Sequence, residues 1–124
     1  MRFTLEFHDS EVRDIATDGT TVRLRFAAAS VRDADGARGW LPGVTLALAD
    51  ATLAGDPSHA FGKLAEGHLR HDGHDIARPA LPATLSGRIE LTLRFANGTQ
   101  LAAHAGALAL AAADGARFAE DLSC

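Results

Sequence analysis

Five Asp-Gly or Asn-Gly dipeptides divide this chain, at Asp18-Gly19, Asp35-Gly36, Asp72-Gly73, Asn97-Gly98 and Asp114-Gly115. Asn and Asp tolerate a positive φ better than most residues and glycine adopts it freely, so such pairs suit tight turns between antiparallel strands. Several of them are flanked by stretches in which apolar and polar residues alternate, the period of a strand with one buried face. Phe3, Leu5 and Phe7 alternate in this way, as do Val22, Leu24 and Phe26, then Val44, Leu46 and Leu48. The clearest run is Ile89, Leu91, Leu93 and Phe95. This pattern predicts an all-β chain of about eight to ten short strands with one or two short helical turns, packed as an antiparallel β-sandwich or flattened barrel.

The turns also set registers. A two-residue loop at Asp18-Gly19 places Ile15 against Val22 and Asp14 against Arg23. The same loop at Asp72-Gly73 places Leu69 against Ile76 and Arg70 against Asp75. At Asn97-Gly98 a two-residue loop would oppose Leu93 to Ala102. A three-residue loop over 96–98, with Gly98 left-handed, opposes Leu93 to Leu101, Leu91 to Ala103 and Glu90 to His104. A one-residue slip exchanges the faces of a whole strand, so the three-residue loop is expected. Val12 is out of step with Ile15, and Leu101 with Leu108, which predicts a bulge or a strand start between Val12 and Ile15 and a bulge at Gly106. Residues 30–43 read as a long polar connection, with Asp35-Gly36 in a loop rather than a hairpin. Residues 50–63 read as a second irregular connection, with one turn of helix or 3₁₀ starting at Pro57 behind an Asp56 cap. The alanine-rich segment 101–113 favours helix by propensity and strand by its hairpin context. Asp114 is expected to cap a short helix over 115–122, and the inner faces are expected to be rich in alanine.

At 124 residues the chain is expected to form a single domain, 1–124, with a core that needs no staple. Its one cysteine, Cys124, cannot form an intramolecular disulfide. The strand pattern starting at Phe3 leaves no room for a signal peptide, and 101–113 is too short to span a bilayer, so a cytoplasmic location away from membranes is expected. The net charge of −4 argues against nucleic acid, which favours a basic footprint. With six Phe, one Trp and no Tyr, the chain is poor in aromatic platforms for sugars or single strands.

No cofactor-binding or nucleophile-elbow motif is present. The residues from His68 to Asp75 form the one cluster of metal-ligand types. In the hairpin register His71 and His74 share a face while His68 points the other way, so a metal would rest on His71 and His74 with a remote carboxylate. His8, Asp9 and Ser10 hold the residue types of a triad, but consecutive residues do not line up as a relay, and a tight polar corner accounts for them. Cys124, at the chain end, is a poor site for a tuned thiolate. Trp40 either covers an open end of the core or anchors a protein partner.

The opening Phe7-His8-Asp9-Ser10-Glu11-Val12-Arg13-Asp14-Ile15, followed by a turn and Val22-Arg23-Leu24-Arg25-Phe26, resembles the start of several uncharacterised bacterial families. These are small β-rich families that open with a His-Asp-Ser corner and a β-hairpin, and some are similar to proposed toxin-immunity proteins. The resemblance implies a β-rich domain without known catalysis and carries over no active-site residue. The expected function is that of a non-enzymatic, toxin-immunity-type protein-interaction module, acting as a monomer or homodimer. The alternatives are a metal-binding protein or metal-dependent enzyme using His71 and His74, and a small-molecule binder with a pocket between its sheets.

Overall fold

The period-two runs become strands. A computed structural model describes residues 2–121, and the described chain is all-β apart from one 3₁₀ turn. The strands are β1 (Phe3–Asp18), β2 (Thr21–Asp33), β3 (Arg38–Leu41), β4 (Val44–Ala49), β5 (Thr52–Ala54), β6 (Gly62–His71), β7 (His74–Ile76), β8 (Ala80–Leu81), β9 (Ala83–Phe95), β10 (Gln100–Ala112) and β11 (Ala119–Glu120). The 3₁₀ turn Pro57–His59 is capped by Asp56, whose carboxylate accepts from the Ser58 backbone N–H and hydroxyl. Those bonds, the hydroxyl's first, hold the Asp56 carboxyl below its usual range.

Six antiparallel strands close into a barrel in the order β2-β4-β10-β9-β6-β1 and back to β2. The remaining strands extend it. β3 continues the β4 side of β2 and carries β11 on its far edge; β5 continues the β4 side of β10; β7 pairs with β6 and β8 with β1. Leu5, Phe7, Leu24, Leu46, Leu69, Ile89, Leu91, Phe95 and Leu110 are buried in the interior. The cavity between Ile15, Leu24, Leu46, Leu91 and Leu101 has a volume of only about 20 Å³, room for one water molecule and not for a metabolite. Among the described residues no helix is long and apolar enough to cross a membrane.

Turn chemistry decides where the expected registers hold. The Asp72-Gly73 hairpin pairs Leu69 with Ile76, Arg70 with Asp75 and His71 with His74. The three-residue loop at 96–98 pairs Leu93 with Leu101, Leu91 with Ala103 and Glu90 with His104, and the bulges after Val12 and at Gly106 are present. The Asp18-Gly19 hairpin differs from expectation. Its loop is Gly19-Thr20, so Ile15 faces Leu24 and Asp14 faces Arg25. Gly19 has φ +61 and is the only positive-φ residue of that loop, the pattern of a II′ turn with glycine first. The slip is two residues along the strand, so both faces survive. Arg25 then binds Asp14 through two hydrogen bonds of 2.6 Å.

Asp35-Gly36 is a hairpin, against expectation. The Asp33 N–H donates to Ala37 O and the Gly36 N–H to Asp33 O, while Gly36 takes φ +85. The loop at Asn97-Gly98 has the same pattern, Phe95 to Thr99 and Gly98 to Phe95. Residues 30–43 are therefore the end of β2, a turn and β3, and residues 50–63 contain β5. The expected helix over 115–122 does not form: a turn follows Ala113, and the chain pairs as β11 with β3. Packing overrides its helical spacing, since Phe118 stacks against Phe3 with ring centroids 5.4 Å apart. Leu122 lies outside the described residues, as do Met1 and Cys124. Residues 101–113 follow the hairpin context, forming β10 through Ala112. The inner faces are not alanine-rich. Leucines of β4 and β10 point inward, so Ala47, Ala49, Ala107, Ala109 and Ala111 fall on the outer face.

Gly67 lies on β6 where a Cβ would sit 2.8 Å from Phe7 Cβ and Cγ and 3.0 Å from Leu93 Cδ2. Gly67→Ala is expected to overpack the barrel and cost about 1–3 kcal/mol, read as a lower urea midpoint at unchanged m. Arg25 holds the Asp14 carboxyl below its usual range, chiefly by hydrogen bonding. A depressed folded-state pKa contributes stability above the ordinary carboxylate range and loses it as pH falls through the depressed value. The melting-temperature gap between wild type and Asp14→Asn is accordingly expected to be present at neutral pH and to close on acidification.

Candidate functional site

A charged cluster covers the outer face where β1, β2, β3 and β6 meet. β1 leaves its register with β2 after Glu6 and resumes it at Glu11, with Asp9 at φ +69 in between. Asp is among the few side chains that accept this conformation readily. The kink puts Ser10 inward, where it is fully buried. Its hydroxyl donates to Glu6 O at 2.6 Å and accepts from the Ser30 N–H at 2.8 Å. Ser10 thus bridges the gap in the β1–β2 ladder and has no free hydroxyl to act as a nucleophile. The triad residue types at His8, Asp9 and Ser10 form the polar corner expected of them.

Around this corner the carboxylates are crowded by cations. Glu6 has a side chain only 16% exposed and receives Arg32 Nε, with Arg38 Nη2 at 3.9 Å. Asp9 has Lys63 Nζ at 3.2 Å, Arg38 Nη2 at 3.8 Å and His8 Nε2 at 3.4 Å. His8 Nδ1 donates to the Ala65 carbonyl at 2.8 Å across to β6. Arg32, Arg38 and Lys63 meet Glu6 and Asp9 here, and Glu11 pairs directly with Lys63, so cations and carboxylates alternate across this face.

Trp40 belongs to the same face. It pairs with Ser30 of β2, just as Arg38 pairs with Arg32, while Leu41 between strand neighbours turns into the core. Trp40 is half-buried, between Ser30 of β2 and Ala119 of β11. Sequence reasoning found Trp40 and the His-Asp-Ser corner. It missed Glu6, Arg32, Arg38 and Lys63, which only the long-range pairing brings together.

His71 and His74 pair directly across the Asp72-Gly73 turn. The His71 Nε2–H donates to Ser86 O at 2.7 Å, docking the hairpin on β9, and Asp72 accepts the Arg88 N–H at 2.8 Å. His74 is exposed. The described residues include no group of three or more His, Cys, Asp or Glu side chains placed to hold a metal ion. His68 lies on the opposite face of β6 from His71, as the hairpin register requires, and Glu90 and His104 are paired neighbours on the outer surface.

No family model, no curated protein and no solved structure matches this chain. The functional reading therefore rests on its own geometry.

Ser10→Ala would leave the buried Ser30 N–H without its acceptor. The expected cost is about 1–3 kcal/mol, measured by urea denaturation, with faster amide exchange at Ser30 than at residues in the β9–β10 ladder.

Proposed function

We propose that this protein is a non-catalytic interaction module of the toxin-immunity type, and that its partner docks on the outer face around Trp40. One observation carries the reading: the chain's single tryptophan stands half-buried on an outer sheet face, beside Arg38 and the ion-paired cluster of Glu6, Asp9, Arg32 and Lys63. Trp and Arg dominate binding hot spots because they bury large rigid surfaces or make several hydrogen bonds at once. Arg32 is already held by Glu6, so little of its side-chain freedom is lost when a partner meets it.

A barrel without a ligand-sized interior favours surface recognition over a small-molecule site between its walls. The His71–His74 pair supports metal binding less well, because the His71 Nε2 is committed to Ser86. The resemblance of residues 7–26 to bacterial immunity-type families supports a reading in which the protein acts in a bacterial cytoplasm, against a toxin encoded beside its gene.

Products of the neighbouring genes, co-expressed and titrated by calorimetry, test the reading. One of them is expected to bind, to be neutralised on co-expression, and to lose about 30-fold or more in affinity with Trp40→Ala, the scale of a hot spot. A partner that binds Trp40→Ala and Arg38→Glu as tightly as wild type would rule out this face, and no binding by any neighbour would rule out the immunity role.

A further inference from the structure

The outer face of β6, β9, β10 and β5 carries a trough on a different part of the barrel. Strand register arranges its side chains in rows. Glu66, Arg94 and Gln100 form one row, since Glu66 pairs with Arg94 and Arg94 with Gln100. The next row, about 7 Å along the strands, is His68, Thr92 and Ala102. Long side chains therefore stand beside short ones, and the depression they leave has a volume of about 370 Å³. The interior cavity, at about 20 Å³, is far smaller.

Donors predominate in this trough. The Thr92 hydroxyl, the Gln100 amide and the His68 ring make no hydrogen bond among the described residues. Arg94 makes one, from Nε to Glu66 Oε1 at 3.3 Å, leaving the rest of its five-donor fork open. Both partners of that pair are about half exposed, at 47% and 52%. A single-contact pair in water is weak, and a bidentate oxyanion makes a better partner for the same guanidinium. Arg94 also holds the Glu66 carboxyl below its usual range, so Glu66 remains charged at neutral pH and competes for Arg94 throughout.

We propose that this trough binds a small oxyanion-bearing molecule, a carboxylate or a phosphate, with Arg94 as its charged anchor and Thr92, Gln100 and His68 as hydrogen-bonding groups. Glu66 is the internal competitor that the ligand displaces. The site is independent of protein docking at Trp40 and stands or falls separately from it.

Isotope-labelled full-length protein titrated with inorganic phosphate, and separately with citrate, at constant ionic strength tests the assignment. Saturable amide shifts are expected at Thr92 and Ala102, with none at Trp40. Arg94→Gln is expected to weaken binding about tenfold or more. Glu66→Gln is expected to tighten it about twofold to fivefold, because it removes the competitor. Tighter binding of phosphate than citrate assigns a phosphate ligand, the reverse a carboxylate, and equal binding the shared oxyanion chemistry. Shifts that never saturate, or a Glu66→Gln protein that binds no more tightly than wild type, overturn the proposal. Both side chains are exposed, so both variants are expected to melt as wild type does, and a melting curve checks this.

Discussion

The barrel depends on a narrow seam. β1 pairs with β2 over most of its length, but it meets β6 through only two residue pairs, Glu11 with Lys63 and Val12 with Gly62. To reach β6 at all, β1 must leave its register with β2 and bend. The left-handed Asp9 makes the bend, and Ser10 fills the broken ladder with its own hydroxyl. Side chains then supplement the short backbone pairing: His8 reaches the Ala65 carbonyl, and Asp9 takes Lys63. The charged cluster is thus a product of closing the sheet, and the proposed docking face grows out of that requirement.

Much of this architecture was legible locally. Strand faces followed from period-two runs, and at Asn97-Gly98 the flanking leucines chose the loop length correctly. The misreadings share a cause. At Asp35-Gly36 the flanking residues are polar, because Arg32 and Arg38 face outward into the charged cluster, so no alternation advertised a hairpin that backbone hydrogen bonds and Gly36 build unaided. At 115–122 helical spacing was real, but Phe118 found Phe3 instead of a helical neighbour. The alanines of β4 and β10 face outward because they alternate with leucines that fill the core. The site was legible only in part. Trp40 stood out as the single tryptophan and the corner as a polar interruption, whereas Arg32, Arg38 and Lys63 come from other strands and leave no local trace.

The same short sequence can also serve opposite ends. Leu-Arg-Phe-Ala occurs at 24–27 and at 93–96. In both copies Leu and Phe enter the core and the arginine meets an acid on the neighbouring strand. Arg25 is fixed to Asp14 by two short bonds, whereas Arg94 is held to Glu66 by one long one. Local sequence is identical, and the geometry across the strand separates a locked arginine from an available one.

The seam has a further consequence for how the molecule breathes. A closed barrel opens first where the fewest backbone bonds must break, and here that joint underlies the residues proposed to meet a partner. Asp9 already ties β3 to β6 through Arg38 and Lys63. A partner gripping both cations would act as an external clasp on the joint and suppress sub-global opening of the whole ring. Recognition and mechanical integrity would then be read from a single free energy, with occupancy of the face setting how often the barrel comes apart.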